Sequence, residues 1–247
     1  MKKISSHITK KVADKLVDMF IKDRKEFEKK WDDIAVFVRY GMISDEKFYD
    51  KSKEFSLLKN VEGQYFTMNE YADKVKPNQT DKDGNVVYLY TTDKGKQDAF
   101  IQAAKEKAYD VLMMDGVLDS HFIGNLEQKL EKTQLKRVDS EIIDKLIAKS
   151  DAVASVLSKD EEEQVKGIFE KAINNKAMTL AIESLSPNDL PVTITMSEWM
   201  RRMKDMARTG GGGGMAFMGS MPDSYNVAIN GNHAIVQKIL KAENEEQ

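Results

Sequence analysis

The strongest pattern in this sequence is an apolar stripe with a charged surround. Half of the chain's 14 methionines lie between Met196 and Met221. Over residues 196–208 the charged side chains alternate with an apolar set at helical spacing, which consists of Met196, Trp199, Met200, Met203 and Met206. Unbranched, polarizable methionine side chains adapt to partners of different shape. The chemistry that this stretch favours is therefore non-covalent binding of apolar surfaces.

A run of glycines, Gly210 to Gly214, follows the stripe. A phosphate-binding loop would need a strand before the glycines, and Lys-Ser or Lys-Thr and a helix after them. Here a helix precedes the run and Met215 follows it, so the run indicates a mobile loop. Beyond it, Met215, Phe217 and Met218 could extend an apolar binding surface. Amphipathic helices usually bury their stripe, so a structural role in the core remains the alternative.

Catalytic and metal-binding patterns are missing from the sequence. The histidines, His7, His121 and His233, have no ligand spacing, and the absence of cysteine excludes disulfides, thiolate zinc sites and a cysteine nucleophile. Asp115 and Asp119 could flank a cleft, but chance pairs are expected among 41 acidic residues. We therefore predict no catalytic and no metal site.

Charge and hydropathy exclude further classes of function. The chain is 32% charged with a net charge of −3, which gives no basic face for nucleic acid or for an anionic membrane. No apolar run approaches the roughly 18–20 residues of a membrane helix. The N-terminal residues lack the apolar segment of a secretory signal. These features predict a soluble cytoplasmic protein.

The elements that would position a site fall into two domains, as 247 residues allow. Asn85 to Val138 reads strand, helix, strand, helix, strand, with a continuous apolar run at residues 111–114 that is typical of a parallel strand covered on both faces. This predicts a three-layer α/β/α subdomain with a short, mainly parallel sheet. Residues 150–247 alternate helices and strands without repeating that order, which predicts a separate α+β domain.

Helices dominate the residues before the sheet. An apolar stripe over residues 8–40 predicts a long helix that Gly41 ends. Ser44 is expected to cap a following helix that carries Phe48, Ser52, Phe55 and Leu58 on one face. Capping-box patterns begin further helices at Thr67 and at Ser158.

Several ordered blocks of the sequence resemble one family. They include VADKL, EKKWDDIAVFVRYGMISDEKFYDKSKEFSLLKN, YLYTTDKGKQDAFIQAAKEKAYDVLMMDGVLDSHFIGNLE and PDSYNVAINGNHAIVQKIL. Together they closely resemble the ninety-kilodalton heat-shock chaperone family over nearly the whole chain. The resemblance implies a fragment with three parts: residues 1–45 as a helical linker of the middle domain, 46–147 as its small α/β/α part, and 150–247 as the C-terminal α+β domain.

The resemblance also implies what the intact protein does. Family members bind ATP and Mg²⁺ in a domain that this chain does not resemble, so we expect neither cofactor nor ATPase activity here. The intact protein is expected to form a homodimer through terminal helices that we do not expect in this chain. It is also expected to bind unfolded or partly folded client proteins, with no nucleic acid or membrane partner.

The family's client-contacting helix aligns with Ser197 to Arg208. The resemblance places its apolar contacts on Trp199, Met203 and Met206, with Met200 as a neighbour. A second client-contacting position of the middle domain aligns with His121, beside Phe122, where some members carry Trp. We therefore expect a chaperone fragment that captures clients through the stripe and the loop with Met215, Phe217 and Met218; the alternative is a structural or dimerisation arm without client contact.

Overall fold

The computed structural model describes residues 2–149, 153–208 and 223–245. The chain divides into two compact units, residues 1–138 and 139–247. The first unit contains six helices and five strands among its described residues: α1 Lys2–Lys22, α2 Arg24–Ser44, α3 Glu46–Ser52, β1 Leu57–Lys59, β2 Tyr65–Thr67, α4 Met68–Val75, β3 Val86–Thr91, α5 Asp98–Glu106, β4 Val111–Met113, α6 Asp119–Lys129 and β5 Thr133–Arg137. The described part of the second unit comprises α7 Ile143–Leu146, α8 Lys159–Ile173, β6 Met178–Glu183, β7 Val192–Thr195, α9 Glu198–Arg208, β8 Tyr225–Asn230 and α10 Ala234–Glu245.

A parallel sheet with the strand order β4-β3-β5 forms the centre of the first unit. The crossover from β3 to β4 contains α5, and the crossover from β4 to β5 contains α6 and returns across β3. Because such crossovers are right-handed and these two run in opposite directions, α5 and α6 cover opposite faces of the sheet. The predicted α/β/α arrangement is confirmed.

The core of the first unit is aromatic. The rings of Phe27 and Phe55 meet edge to face with centroids 6.0 Å apart, and those of Tyr71 and Tyr88 at 4.9 Å. Trp31 of α2 is almost completely buried in the same cluster. The helices of residues 2–44 and the sheet therefore share one hydrophobic core.

Three local predictions for the first unit were wrong. The long helix is interrupted at Asp23, whose side chain caps α2 by accepting a hydrogen bond from the Glu26 amide at 3.1 Å. Gly41 does not end α2, which continues to Ser44, and Asp45 rather than Ser44 caps α3. The predicted helix over Phe55 and Leu58 stops at Ser52, because Leu57–Lys59 pairs as β1 with Tyr65–Thr67.

The second unit contains a mixed sheet with the order β6-β8-β7, in which β6 runs parallel and β7 antiparallel to β8. Its apolar core joins α8, the sheet and α10 through Val165, Val227, Ile229, Val236 and Leu240. Both predicted capping boxes are present, at Thr67 with Glu70 and at Ser158 with Glu161. The α+β prediction is confirmed, although residues 139–147 cluster with this unit rather than with the first.

Candidate functional site

The helix α9, which carries the apolar stripe, begins directly after the edge strand β7. Thr195, the last residue of β7, pairs with Asn226 of β8, and both Thr195 and Met196 are buried. The Ser197 hydroxyl accepts a hydrogen bond from the Met200 amide at 3.4 Å and so starts the helix. The sheet thereby fixes the point from which α9 leaves the body of the unit.

The charged face of α9 attaches the helix to its own unit. Arg201 Nη1 lies 2.9 Å from Asp139 Oδ2, and Arg201 Nε donates to the Met196 carbonyl at 3.1 Å. One helical turn further, Lys204 forms an ion pair with Asp223, whose other carboxylate oxygen accepts a hydrogen bond from the Tyr225 hydroxyl at 2.8 Å. Two ion pairs on one side of α9 therefore hold it against residues 139 and 223–225.

Trp199 lies on the other side of α9 from these ion pairs. At 3.6 residues per turn, Arg201 and Lys204 lie about 140–200° around the helix axis from Trp199. Trp199 is 57% exposed, and Met200 and Met203 are partly exposed. A surface helix usually packs its apolar face and exposes its charges; in α9 the charged side is attached and the indole faces solvent. The interpretation of Trp199 as a core residue of its own unit is therefore wrong.

Several predicted site residues cannot be placed on this surface. Met206 belongs to α9, but its side chain lies outside the described residues. Gly210 to Gly214 also lie outside them, as do Met215, Phe217 and Met218. The contribution of these residues to a binding surface stays a prediction.

The second predicted client position, on α6, contains one exposed residue and one buried residue. His121 is exposed at the start of the helix. Phe122 is completely buried, and the Arg39 guanidinium carbon lies 5.3 Å from the centre of its ring. The prediction of Phe122 as a contact residue is wrong for this conformation, because the side chain fills the core beneath α2. His121 as a contact stays a prediction.

The acidic pair of the sequence does not form a catalytic arrangement. Asp119 is buried in an ion pair with Arg39 and accepts a hydrogen bond from the Gly116 amide at 3.0 Å. Burial raises the pKa of the Asp119 carboxyl, and the Arg39 charge acts in the opposite direction. Asp115 is exposed. Asp115 and Asp119 line the same cleft, but Asp119 is held in its ion pair with Arg39, so the two carboxylates do not form an acid and base pair.

The described residues offer neither a metal site nor a membrane-crossing helix. Residues 2–149, 153–208 and 223–245 contain no group of three or more acidic, histidine or cysteine side chains arranged to hold a metal ion. Within the same ranges, no helix has the length and apolarity to cross a membrane.

Sequence reasoning missed the residues that orient α9. Asp139 and Asp223 lie far from the helix in sequence, and neither belongs to a motif. In the sequence, Arg201 and Lys204 are charged positions of an amphipathic helix, and nothing in its periodicity shows which side is attached. Only their ion pairs with Asp139 and Asp223 show that this side is the attached one.

The chain is similar to known proteins over its full length. The family model described as "Hsp90 protein" matches residues 1–247. The chain belongs to the Hsp90 family. It is 46% identical over 248 residues to "Chaperone protein HtpG" of Porphyromonas gingivalis (strain ATCC 33277), covering 99% of this chain and 36% of that protein. The family resemblance seen in the sequence is thereby confirmed.

Other Hsp90 relatives also match nearly the whole chain. "Chaperone protein htpG" of Bacteroides fragilis (strain 638R) is 44% identical over 249 residues, which cover 100% of this chain and 36% of the relative. The "Chaperone protein HtpG" of Helicobacter pylori (strain J99) is 24% identical over 260 residues, which cover 99% of the chain and 37% of the relative. The chain thus spans little more than a third of the length of these bacterial Hsp90 relatives.

Proposed function

We propose that this chain is the client-holding part of an Hsp90 chaperone and that it binds partly unfolded proteins through the exposed stripe of α9. The observation that carries this proposal is the orientation of α9: its charged side is fixed by ion pairs to Asp139 and Asp223, and Trp199 is 57% exposed on the other side. Large exposed apolar side chains rimmed by polar residues mark interaction surfaces.

The chemistry of the stripe suits clients of varied sequence. Methionine side chains repack against different shapes, and an indole provides a large rigid contact area. Fully burying one such side chain contributes roughly 1.5–3 kcal/mol, before the cost of ordering the complex. Three of them give weak, reversible binding, in which the client can leave again.

In the intact protein this surface would work together with parts beyond the chain. The family assignment supports an ATP- and Mg²⁺-binding domain, a homodimer and a cytoplasmic location, and we include these in the proposal. The first unit would then be the rigid arm that connects the α9 surface to the ATP-dependent movement. We propose no catalytic role for the residues of this chain.

A structural role is the second candidate. Trp199 and its neighbours could pack against a second copy of the chain instead of a client, because apolar surfaces of this kind also form dimers. The two candidates differ in one measurable property. A dimer contact buries Trp199 as the chain concentration rises, whereas a client site leaves the indole accessible until an unfolded protein is added.

The experiment measures light scattering of a heat-aggregating test protein in the presence of this chain. We compare the wild type with the double variant Trp199→Ser/Met203→Ser. The control is Val156→Ser/Ile235→Ser, which removes two other exposed apolar side chains of the same unit. The Val156 amide donates a hydrogen bond to Asn232 Oδ1 and the Ile235 amide donates one to His233 Nδ1, which places the control residues beyond the end of β8. In contrast, α9 leaves the sheet beside the start of β8.

We expect wild type and control to suppress aggregation and the α9 variant to lose most of the effect at equal fold stability. Equal suppression by all three would overturn the client-binding proposal. Sedimentation at increasing concentration, with Trp199 fluorescence, then tests the structural candidate directly.

A further inference from the structure

Sulfur chemistry in this chain is confined to methionine. The sequence has 14 methionines and no cysteine, and half of the methionines lie between Met196 and Met221. A peroxide or a hypohalous acid oxidises an accessible methionine thioether to the sulfoxide, which is polar and chiral. A surface that uses methionine for apolar contacts is therefore also a surface that an oxidant can change.

Burial separates the described methionines into two groups. Four are 2–5% exposed: Met42, Met68, Met114 and Met196. Five are partly exposed: Met19, Met113, Met178, Met200 and Met203. Of these five, Met113 is held in β4, and Met19 and Met178 pack against the hydrophobic cores of their units. Those two cores do not include Met200 or Met203. Oxidation of the two methionines of α9 is therefore the change that disturbs the fold least.

Met203 lies beside the exposed Trp199 on α9. At 3.6 residues per turn, residues four positions apart lie about 40° apart around the helix axis, so the two side chains are neighbours on one side of the helix. Met200 lies about 60° further round, toward Lys204. A polar group introduced at Met203 would therefore enter the apolar surface at Trp199, and one at Met200 would enter its edge.

We propose that Met203 is a reversible oxidation site, with Met200 as a second one, and that oxidation releases clients from the stripe of α9. This inference rests on the proposed client-binding function and adds its regulation. In the forward step a peroxide transfers one oxygen to the methionine sulfur: the O–O bond breaks, an S–O bond forms, and the peroxide is reduced to water or to an alcohol. In the reverse step a methionine sulfoxide reductase supplies two thiols, which become a disulfide while the oxygen leaves as water.

The sulfoxide weakens client binding because its oxygen is a hydrogen-bond acceptor. In a complex that buries Met203 and Trp199 against apolar client side chains, that oxygen loses water and gains no donor. The attachment of α9 to its unit stays intact, because the ion pairs of Arg201 and Lys204 contain no sulfur. The modified chain is therefore expected to stay folded and to lose affinity for clients.

The experiment treats the complete 247-residue chain with hydrogen peroxide, removes the peroxide with catalase and repeats the aggregation assay. Mass spectrometry of peptides locates each added oxygen on the 14 methionines and the two tryptophans. A portion of the oxidised chain is then reduced with methionine sulfoxide reductases and dithiothreitol. Circular dichroism before and after oxidation checks that the chain stays folded.

Three variants locate the effect. Met200→Leu/Met203→Leu removes both sulfurs of the site and keeps apolar side chains of similar volume. Met203→Gln places a polar amide where the sulfoxide would form. Met19→Leu/Met113→Leu/Met178→Leu is the control, because it removes the three other partly exposed methionines of the described residues. Each protein is compared with its own untreated sample, so differences in initial suppression do not enter the comparison.

We expect Met203 to be oxidised before the buried Met42. Peroxide should raise the amount of wild-type chain needed for half-maximal suppression about fivefold or more, the effect of burying an unpaired polar group. The reductases should restore the untreated value. The triple control variant should respond like the wild type, whereas Met200→Leu/Met203→Leu should be largely insensitive to peroxide. Untreated Met203→Gln should resemble the oxidised wild type.

Two results would overturn the oxidation site. One is undiminished suppression by a chain whose Met203 is oxidised. The other is equal sensitivity of the wild type and Met200→Leu/Met203→Leu, which would assign the effect to another residue. If the untreated wild type does not suppress aggregation, the client-binding proposal fails together with this one. Failure of the oxidation comparison alone leaves the client-binding proposal in place, so the two failures are distinguishable.

Discussion

The Arg201 guanidinium lies 2.9 Å from the Asp139 carboxylate, on the side of α9 that faces away from Trp199. Asp139 is buried and Arg201 partly so. An ion pair at this position determines which side of an amphipathic helix meets solvent. Because Arg201 and Lys204 form their ion pairs within the unit, Trp199 on the other side of α9 is free to contact a partner.

Removing this ion pair should destabilise the second unit. In Arg201→Leu the buried Asp139 carboxylate loses its ion pair with Arg201, and breaking a buried pair costs up to about 3–5 kcal/mol, less here because Arg201 is partly exposed. The control is Arg202→Leu, whose pair with Glu198 lies within one helix and contributes roughly 0.5 kcal/mol. Urea unfolding followed by Trp199 fluorescence in a Trp31→Phe background measures both. Equal losses in the two variants would show that Asp139 does not anchor α9.

The two tryptophans of the chain should respond differently to a quencher. Trp199 is 57% exposed, whereas Trp31 lies in the core of the first unit. In Trp31→Phe the only tryptophan is Trp199, and in Trp199→Phe it is Trp31. Acrylamide should quench the fluorescence of Trp31→Phe several-fold more strongly than that of Trp199→Phe. The emission of Trp31→Phe should also lie at longer wavelength. A protected Trp199 at low chain concentration would contradict the exposed stripe.

A methyl group at Gly41 should destabilise the first unit. A Cβ there would lie 2.6 Å from an atom of the buried Phe48 ring. Overpacking of this kind costs about 1–3 kcal/mol, more than the helix propensity gained by Gly41→Ala. Gly124→Ala in α6 is the matched control, since a Cβ there meets nothing within 4 Å. It should raise stability by about 0.5–1 kcal/mol. Thermal or urea unfolding, followed by Trp31 fluorescence in a Trp199→Phe background, distinguishes the two.

The ion pair between α2 and the capping box of α4 should make the first unit sensitive to acid. Arg24 Nη2 lies 2.8 Å from Glu70 Oε2, and this hydrogen bond lowers the pKa of the Glu70 carboxyl from 4.5 to about 2. The folded state favours the ionised carboxylate of Glu70. Its contribution to the free energy of unfolding is therefore complete above pH 4.5 and is lost as the pH falls through about 2. Because the ion pair is partly exposed, we expect it to contribute about 1 kcal/mol to the free energy of unfolding.

Glu70→Gln should therefore be less stable than wild type at pH 7, and the two should converge as the pH approaches 2. Urea unfolding at several pH values, followed by Trp31 fluorescence with Trp199→Phe, measures the difference. Glu106→Gln, which removes an exposed carboxylate of α5, should not lower stability at pH 7. A difference between Glu70→Gln and wild type that does not change with pH would contradict the assigned pKa.

Local patterns in the sequence determined most of the elements and the family. Strands β3 and β8, the capping boxes at Thr67 and Ser158, and the helix of the methionine stripe follow from hydrophobic periodicity and from residues that satisfy free backbone amides within a few positions. These features depend on neighbours close in the chain, so the sequence alone is sufficient to predict them.

The tertiary structure decided what depends on residues far apart in the chain. Gly41 is predicted to end the helix, but it lies inside α2, where the neighbouring Phe48 ring leaves no room for a Cβ. The family resemblance groups Phe122 with His121 as a client contact, but Phe122 is buried beneath Arg39. The sequence did not determine which side of α9 faces solvent, because periodicity shows that a helix has two faces but not which of them is attached. Long-range ion pairs with Asp139 and Asp223 decide that orientation.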